Sequence, residues 1–229
     1  MKSGKFNRFV LSAEVPLTRT KPFVVVCEGL ADAGFISALL VHKGITDYEV
    51  GCPSPKIGGG QGKDKIGKYL EALAANPAGL RGILVVVDTD SSASKIFKQM
   101  TNAFRSVAPL VPIPTKPFTV TGDNPRSAVF LVPKKGRRGT LEHLLLEAVF
   151  DKKPRLKVCL DSFEKCIGKV KSWPPNKQAK MRMAALTACH CRDNPASSVA
   201  WIWAERGNPV PINSRTFKHI SEFLAEFIR

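Results

Sequence analysis

An acidic pair follows the first long apolar run of the chain. The run Phe23–Cys27 is followed by Glu28 and Gly29, and Asp32 comes four residues after Glu28. A valine-rich run of this length predicts a buried β-strand, and Gly29 permits a tight turn into a helix predicted over 31–42. Because sites in open α/β sheets gather at the carboxyl ends of strands, Glu28 and Asp32 are placed to hold a hard cation.

A second apolar run ends in the same way. It covers residues 82–87, and Asp88 and Asp90 follow it in an Asp-x-Asp pattern. Side chains alternate along an extended chain, so Asp88 and Asp90 are expected to point the same way. If the two predicted strands are neighbours, Glu28 converges with this pair. Carboxylate ligands suit Mg²⁺, which keeps several waters and binds through few carboxylates together with substrate phosphate.

The elements that must position these acids alternate between strand and helix. Their order predicts an α/β fold with a mostly parallel sheet flanked by helices, followed by a helical C-terminal part. The predicted organisation is a basic arm over 1–21, the α/β domain over 22–150 and a helical extension over 151–229 that packs on it. Strands are predicted over 23–27, 47–51, 82–88 and 128–132, and helices over 31–42, 65–75, from Ser91 or Ser92 towards 107, and 141–150.

The charge of the chain indicates an anionic partner. Lys and Arg number 35 against 19 Asp and Glu, which gives a net charge of +16 over 229 residues. Such an excess favours polyanions, and nucleic acid is the usual one. A basic protein that binds no nucleic acid specifically is the alternative, because net charge governs association rather than fold.

No targeting or membrane segment is predicted. The first 19 residues lack an apolar core long enough for a secretion signal, and no run approaches a membrane span. The six cysteines form no paired C-x-x-C framework, and the spacing around Cys189, His190 and Cys191 does not fit the common zinc pairs. The chain is therefore predicted to be cytoplasmic, with reduced thiols.

The two acidic motifs together resemble the Toprim domain, in which Glu-Gly-x-x-Asp after one strand precedes Asp-x-Asp after a later one. That domain is shared by bacterial primases, type IA and type II topoisomerases, recombination proteins and the overcoming-lysogenisation-defect nucleases. The glycines over 58–60, the helix after them and the run Gly-Thr-Leu-Glu-His-Leu-Leu over 139–145 are similar to a small, poorly characterised Toprim-like family. The resemblance extends from about residue 22 to the end of the chain.

The resemblance implies roles for particular acids. Glu28 is similar to the Toprim glutamate, which acts as general acid/base or metal ligand, and Asp88 and Asp90 are similar to the pair that holds Mg²⁺, with Mn²⁺ as a substitute. Asp32 matches the acid that nuclease members place four residues after the glutamate. Glu142 is a candidate late ligand, although a glutamate there also favours a helix N-terminus.

Basic residues near these motifs are candidates for contacts with nucleic acid. The alternative is a solvated charge run. The glycine loop before Lys63 does not match a P-loop, which would require glycine at 57 and serine or threonine at 64. Trp201 and Trp203 are expected to pack in the core or at an edge, with base stacking as the alternative. The candidate contacts to phosphate are Lys63, Lys134, Lys135, Arg137 and Arg138.

These observations predict a Mg²⁺-dependent nuclease that acts on DNA or RNA. The resemblance implies a role in phage or plasmid defence together with a partner ATPase. That ATPase would be a separate chain, because this sequence carries no ATP-binding motif of its own. Neither Tyr48 nor Tyr69 lies in a strand-passage motif, which argues against a topoisomerase. The alternative is a non-catalytic nucleic-acid-binding or regulatory subunit that keeps a Mg²⁺ site. A nucleotidyl transferase is a third reading, for which no nucleoside-triphosphate site is visible.

Overall fold

A parallel β-sheet forms the centre of the molecule. The structure, a computed structural model, describes residues 19–55, 59–90, 92–133, 136–168 and 172–229. Within them the sheet has four strands, all parallel, in the order β2-β1-β3-β4. The strands are β1 (Phe23–Cys27), β2 (Tyr48–Gly51), β3 (Gly82–Asp88) and β4 (Arg126–Val132).

Helices flank this sheet, so the α/β class predicted from the sequence is confirmed. The bounds of the first four agree with the predicted ones to within a few residues, as expected where apolar periodicity and capping residues coincide. The helices are α1 (Leu30–Lys43), α2 (Ile66–Ala74), α3 (Ala93–Arg105), α4 (Leu141–Lys152), α5 (Pro154–Ile167), α6 (Pro175–His190) and α7 (Lys218–Ile228).

Each face of the sheet has its own apolar core, because successive side chains of a strand point to opposite faces. Val25 and Leu84 lie in one core together with side chains from α1, α4, α6 and α7. Val24 and Ile83 lie in the other core, which α2 and α3 cover. A sheet buried on both faces requires continuous apolar strands, as the sequence shows.

Local sequence signals set the ends of the helices around the sheet. The Ser92 side chain accepts a hydrogen bond from the Lys95 backbone N–H at the start of α3. At the start of α4, Thr140 and His143 satisfy each other's backbone N–H groups in a capping box. Gly44 ends α1 with a φ of 68°, a left-handed conformation that favours glycine.

The C-terminal part of the chain packs into the same core as one face of the sheet. Phe227 of α7 stacks on Tyr48 of β2, and the Tyr48 hydroxyl donates to the Leu224 carbonyl at 2.7 Å. Trp203 is buried against Phe35 of α1, with ring centroids 5.6 Å apart. Residues 151–229 therefore help to bury α1 and the sheet.

The structure also shows where the two tryptophans and the described end of the N-terminal arm lie. Trp201 is exposed, whereas Trp203, which lies within a short 3-10 turn over Ile202–Ala204, is buried. Of the predicted arm, residues 1–18 lie outside the described part of the chain. Arg19 donates to the carbonyls of Asn76 and Ala78, so the described end of the arm lies against the body.

Among the described helices, none combines the length and apolar character needed to span a bilayer.

Candidate metal centre

The order of the strands brings the two acidic motifs together. β1 lies beside β3, with Cys27 paired to Val86, so Glu28 comes directly next to the end of β3. The Asp88 backbone lies close enough to the Glu28 carboxyl to lower its pKa, although burial raises that pKa overall. The chain passes from β1 to β2 on one side of it, and then crosses over to β3 and β4 on the other side. The acids therefore sit at the switch point of the sheet, where such folds form their sites.

Four carboxylates from four elements line one pocket of about 290 Å³ at this edge. Glu28 follows β1, and Asp88 ends β3. Asp32 comes from the first turn of α1, and Glu142 comes from the first turn of α4. Lys180 of α6 also lines the pocket. Acidic residues in the first turn of a helix face the positive end of its dipole, which favours their charged form.

Three of the four carboxylates are deeply buried and incompletely paired. Asp32, Asp88 and Glu142 are each at least nine-tenths buried. One oxygen of each, Oδ1 of Asp32, Oδ1 of Asp88 and Oε2 of Glu142, has no hydrogen-bond partner among the described protein atoms. A buried oxygen without a partner is destabilising, so three around one pocket indicate that a ligand satisfies them.

Burial and crowding shift the proton equilibria of these acids. Loss of hydration raises the pKa of Asp32 to about 7, and the nearby Glu28 and Glu142 charges add to this shift. The same causes hold the pKa of Asp88 well above its ordinary value. Burial also raises the pKa of Glu28, against the lowering effect of Lys63. Groups of this kind in a cleft are typical of functional sites.

Comparison with known proteins places the chain in a family defined by sequence alone. A family model described as "Protein of unknown function (DUF3226)" matches residues 22–229. The chain belongs to the DUF3226 family. No curated protein matches it. No solved structure matches it either.

Asp90 of this DUF3226 protein stands apart from the pocket. The strand ends at Asp88, and Asp90 has a φ of 45°, so the alternation expected for an extended chain stops before it. One Asp90 oxygen is bound by the Lys63 ammonium, and the other accepts from Asn176 Nδ2 at 3.2 Å. Lys63 Nζ also lies 3.4 Å from Glu28 Oε2. Lys63 therefore links Asp90 to the acids of the pocket.

Two residues that the sequence motifs did not reveal complete the lining. Lys180 Nζ lies 3.2 Å from Glu142 Oε1, and Gln61 lies beside Gly29. Gln61 lies inside the glycine loop but was not singled out there, and Lys180 belongs to none of the motifs. Each is distant in sequence from the residue it meets. The first half of α6 also carries Lys177 and Arg182, so no sequence signal distinguished Lys180 from its basic neighbours.

The carboxylates that line the pocket fit a hard divalent cation by their chemistry. Carboxylate oxygens with unfilled lone pairs are the donors that Mg²⁺ and Mn²⁺ prefer. Among the described residues, no three Asp, Glu, His or Cys side chains stand in a ready-made metal-binding cluster. Asp32, Asp88 and Glu142 would therefore rotate towards a bound ion. Each of the three has one oxygen with no hydrogen-bond partner among the described atoms to offer such an ion.

The basic residues that were predicted to contact phosphate do not all share one environment. Arg137 forms an ion pair with Glu147. Arg137 and Arg138 line a second pocket of about 240 Å³ with Ser92, Ser94 and Thr89, the residue that follows Asp88. Lys134 and Lys135, like Gly58 of the glycine loop, lie outside the described residues. The two arginines thus border a cavity that is joined to the acidic pocket through the adjacent residues Asp88 and Thr89.

Proposed function

We propose that this protein is a Mg²⁺-dependent nuclease of Toprim-like type that hydrolyses phosphodiester bonds of nucleic acid. The observation that carries the proposal is the set of unpartnered, buried oxygens of Asp32, Asp88 and Glu142 around one pocket. It is supported by the place of that pocket at the switch point of a parallel sheet and by the net charge of +16.

Each residue of the pocket has a part in this proposal. Asp32, Asp88 and Glu142 would hold the cation, and Glu28 borders the same pocket as a ligand or as the group that takes a proton from the attacking water. A bound Mg²⁺ supplies charge neutralisation at the phosphate and lowers the pKa of a bound water. Lys180 presents an ammonium group that can contact a phosphate oxygen.

Substrate binding would extend from this pocket to the basic side of the molecule. Arg137 and Arg138 share a pocket with Thr89, which follows Asp88 in the chain, and guanidinium groups bind phosphate oxygens in a bidentate manner. Contacts of this kind fix the nucleic acid by its backbone and carry no sequence information directly. The proposal therefore includes a substrate whose backbone runs from the acidic pocket to these arginines.

The decisive experiment is a cleavage assay with labelled single- and double-stranded DNA and RNA, in the presence of Mg²⁺ or Mn²⁺. Wild type is compared with Asp88→Asn, which keeps the size of the side chain and removes its charge. Metal-dependent cleavage that is lost in the variant supports the proposal and identifies the substrate. Cleavage that survives in Asp88→Asn would exclude this pocket as the active site.

A binding or regulatory subunit with a Mg²⁺ site is the second candidate, favoured by the charge excess. It predicts salt-sensitive binding of nucleic acid without cleavage. Because Toprim-like nucleases resembling this chain work beside a separate ATPase, a cytoplasmic defence role with such a partner belongs to the proposal. If the chain alone does not cleave, the next step is to look for an ATPase encoded nearby and to repeat the assay with it before the binding role is accepted.

A further inference from the structure

The Lys63 side chain lies between two acids at the candidate metal centre, Glu28 and Asp90. Its side chain is only 10% exposed, and its ammonium contacts carboxylate oxygens of both Glu28 and Asp90. An ammonium this deeply buried is stable only beside opposite charge. The position is therefore part of the site rather than a chance surface contact.

The backbone holds Lys63 in this place. The Gly62 N–H donates to the Glu28 carbonyl at 3.1 Å, which ties the loop to the end of β1. Lys63 then begins a 3-10 turn over Lys63–Lys65 that leads into α2. Gly62 has a φ of 120°, a conformation that L side chains rarely adopt. A glycine immediately before Lys63 thus lets the loop turn its ammonium into the site.

The acids near Lys63 differ in whether their oxygens already have partners. Both Asp90 oxygens have partners, Lys63 and Asn176, and Asp90 does not line the acidic pocket. The unpartnered oxygens of Asp32, Asp88 and Glu142 all belong to residues that line the pocket. Three such donors are enough for one Mg²⁺, which completes its six ligands with water and phosphate.

From this division we infer that the centre takes a single divalent cation, and that the Lys63 ammonium replaces a second one between Glu28 and Asp90. The inference rests on the proposed function, since it concerns the metal content of the same site. Glu28 borders both positions and would be shared between the cation and the ammonium. An ammonium is a compact point charge, so it can neutralise two carboxylates without binding a water for attack.

The test is the number of Mn²⁺ ions bound per chain, measured by equilibrium dialysis with metal analysis and by the loss of free Mn²⁺ signal in electron paramagnetic resonance. Wild type is expected to bind one ion. Lys63→Met removes the charge and keeps the length of the side chain, so Glu28 and Asp90 become free for a second ion and the count rises to two. Lys65→Met is the matched control, because within the described part of the chain Lys65 pairs with the exposed Asp64 rather than with an acid of the pocket. This variant is expected to bind one ion.

Each outcome separates this inference from the proposed function. A wild-type count of two would overturn the inference and leave the metal site intact. A count of zero would instead remove the metal site and with it the basis of both. A count of one in both wild type and folded Lys63→Met would show that Lys63 replaces no ion. Thermal melting checks that Lys63→Met is folded, and Lys63→Gln provides a second uncharged variant if it is not.

Discussion

Lys180 on α6 and Glu142 on α4 meet across the acidic pocket, with 3.2 Å between Nζ and Oε1. The pair joins a helix of the C-terminal part to the first turn of a helix that lies against the sheet. Burial alone would lower the pKa of Lys180, but the Glu142 carboxylate raises it. The ammonium therefore stays charged at neutral pH and is available to a phosphate.

Replacing Lys180 with methionine is expected to reduce cleavage strongly. If its ammonium contacts the phosphate, loss of that charge should lower kcat by roughly 10²-fold, as for removal of one stabilising donor. The measurement is single-turnover cleavage of the substrate found in the nuclease assay. The control is Lys177→Met on the same helix, because the Lys177 ammonium lies over the Trp173 ring, 4.1 Å from its centroid. Equal rates for the two variants would assign Lys180 no part in the reaction.

The crowded acids predict a stability that depends on pH. The native pKa of Asp32 is about 7, above its value in the unfolded chain, so the native state binds more protons between these values. Metal-free protein therefore loses stability as pH rises through this range, by up to about 1.4 kcal/mol per pH unit for each such carboxyl.

The variant Asp32→Asn isolates this effect, because it removes the titrating group and keeps the shape of the side chain. In denaturant melts with a chelator, we expect the variant to gain stability relative to wild type between about pH 5 and about pH 7.5. The control Glu222→Gln changes an exposed acid that pairs with Lys218, so its difference from wild type should stay constant. A pH-independent difference for Asp32→Asn would contradict the raised pKa.

Added Mg²⁺ is expected to stabilise the wild-type protein. An ion that binds the native state alone adds about 2.7 kcal/mol at a concentration 100 times its Kd. Its removal by a chelator should lower Tm more at alkaline than at acidic pH, since the ligands must lose their protons first. Asp88→Asn should lose most of the gain, as measured by melting with and without Mg²⁺. A Mg²⁺-induced shift of the same size in this variant would place the ion elsewhere.

Arg138 is expected to bind the nucleic-acid backbone. Arg138→Gln should weaken binding by a similar factor for all sequences, and the slope of log K against log salt should fall by about 0.9 for one lost phosphate contact. Fluorescence anisotropy over a range of salt concentrations measures both. The control Arg206→Gln alters an exposed arginine that pairs with Asp193. An unchanged slope in Arg138→Gln would show that this arginine stays in solvent in the complex.

Replacing either of two helical glycines with alanine is expected to change the stability of the protein, but in opposite directions. A Cβ at Gly34 of α1 would lie 2.3 Å from the Ala200 carbonyl oxygen, so the backbone must shift, with a loss of about 1–3 kcal/mol. A Cβ at Gly67 of α2 meets Ala103 at 3.8 Å, an ordinary contact. Gly67→Ala should therefore gain up to about 1 kcal/mol from helix propensity. Urea melts compare the two, and a Gly34→Ala protein as stable as wild type would refute the close contact.

The sequence by itself determined the sheet and the strand ends of the site. Valine-rich runs of strand length alternate with amphipathic helices, and this local pattern is set by side-chain burial at periods of 2 and 3.6. Glu28 and Asp88 could be placed at the carboxyl ends of two strands for the same reason. Their convergence followed only if those strands were neighbours, which the observed order β2-β1-β3-β4 fulfils.

Only the tertiary structure decided which side chains meet at that edge. Asp90 follows the strand in a left-handed conformation, so it faces Lys63 and Asn176 instead of the pocket. Lys180 comes from a helix 38 residues beyond Glu142, and no periodicity in the sequence specifies that contact. Such pairings depend on how whole elements pack, which is a non-local property. Strand ends follow from local patterning, whereas the partners of a buried charge follow from the fold.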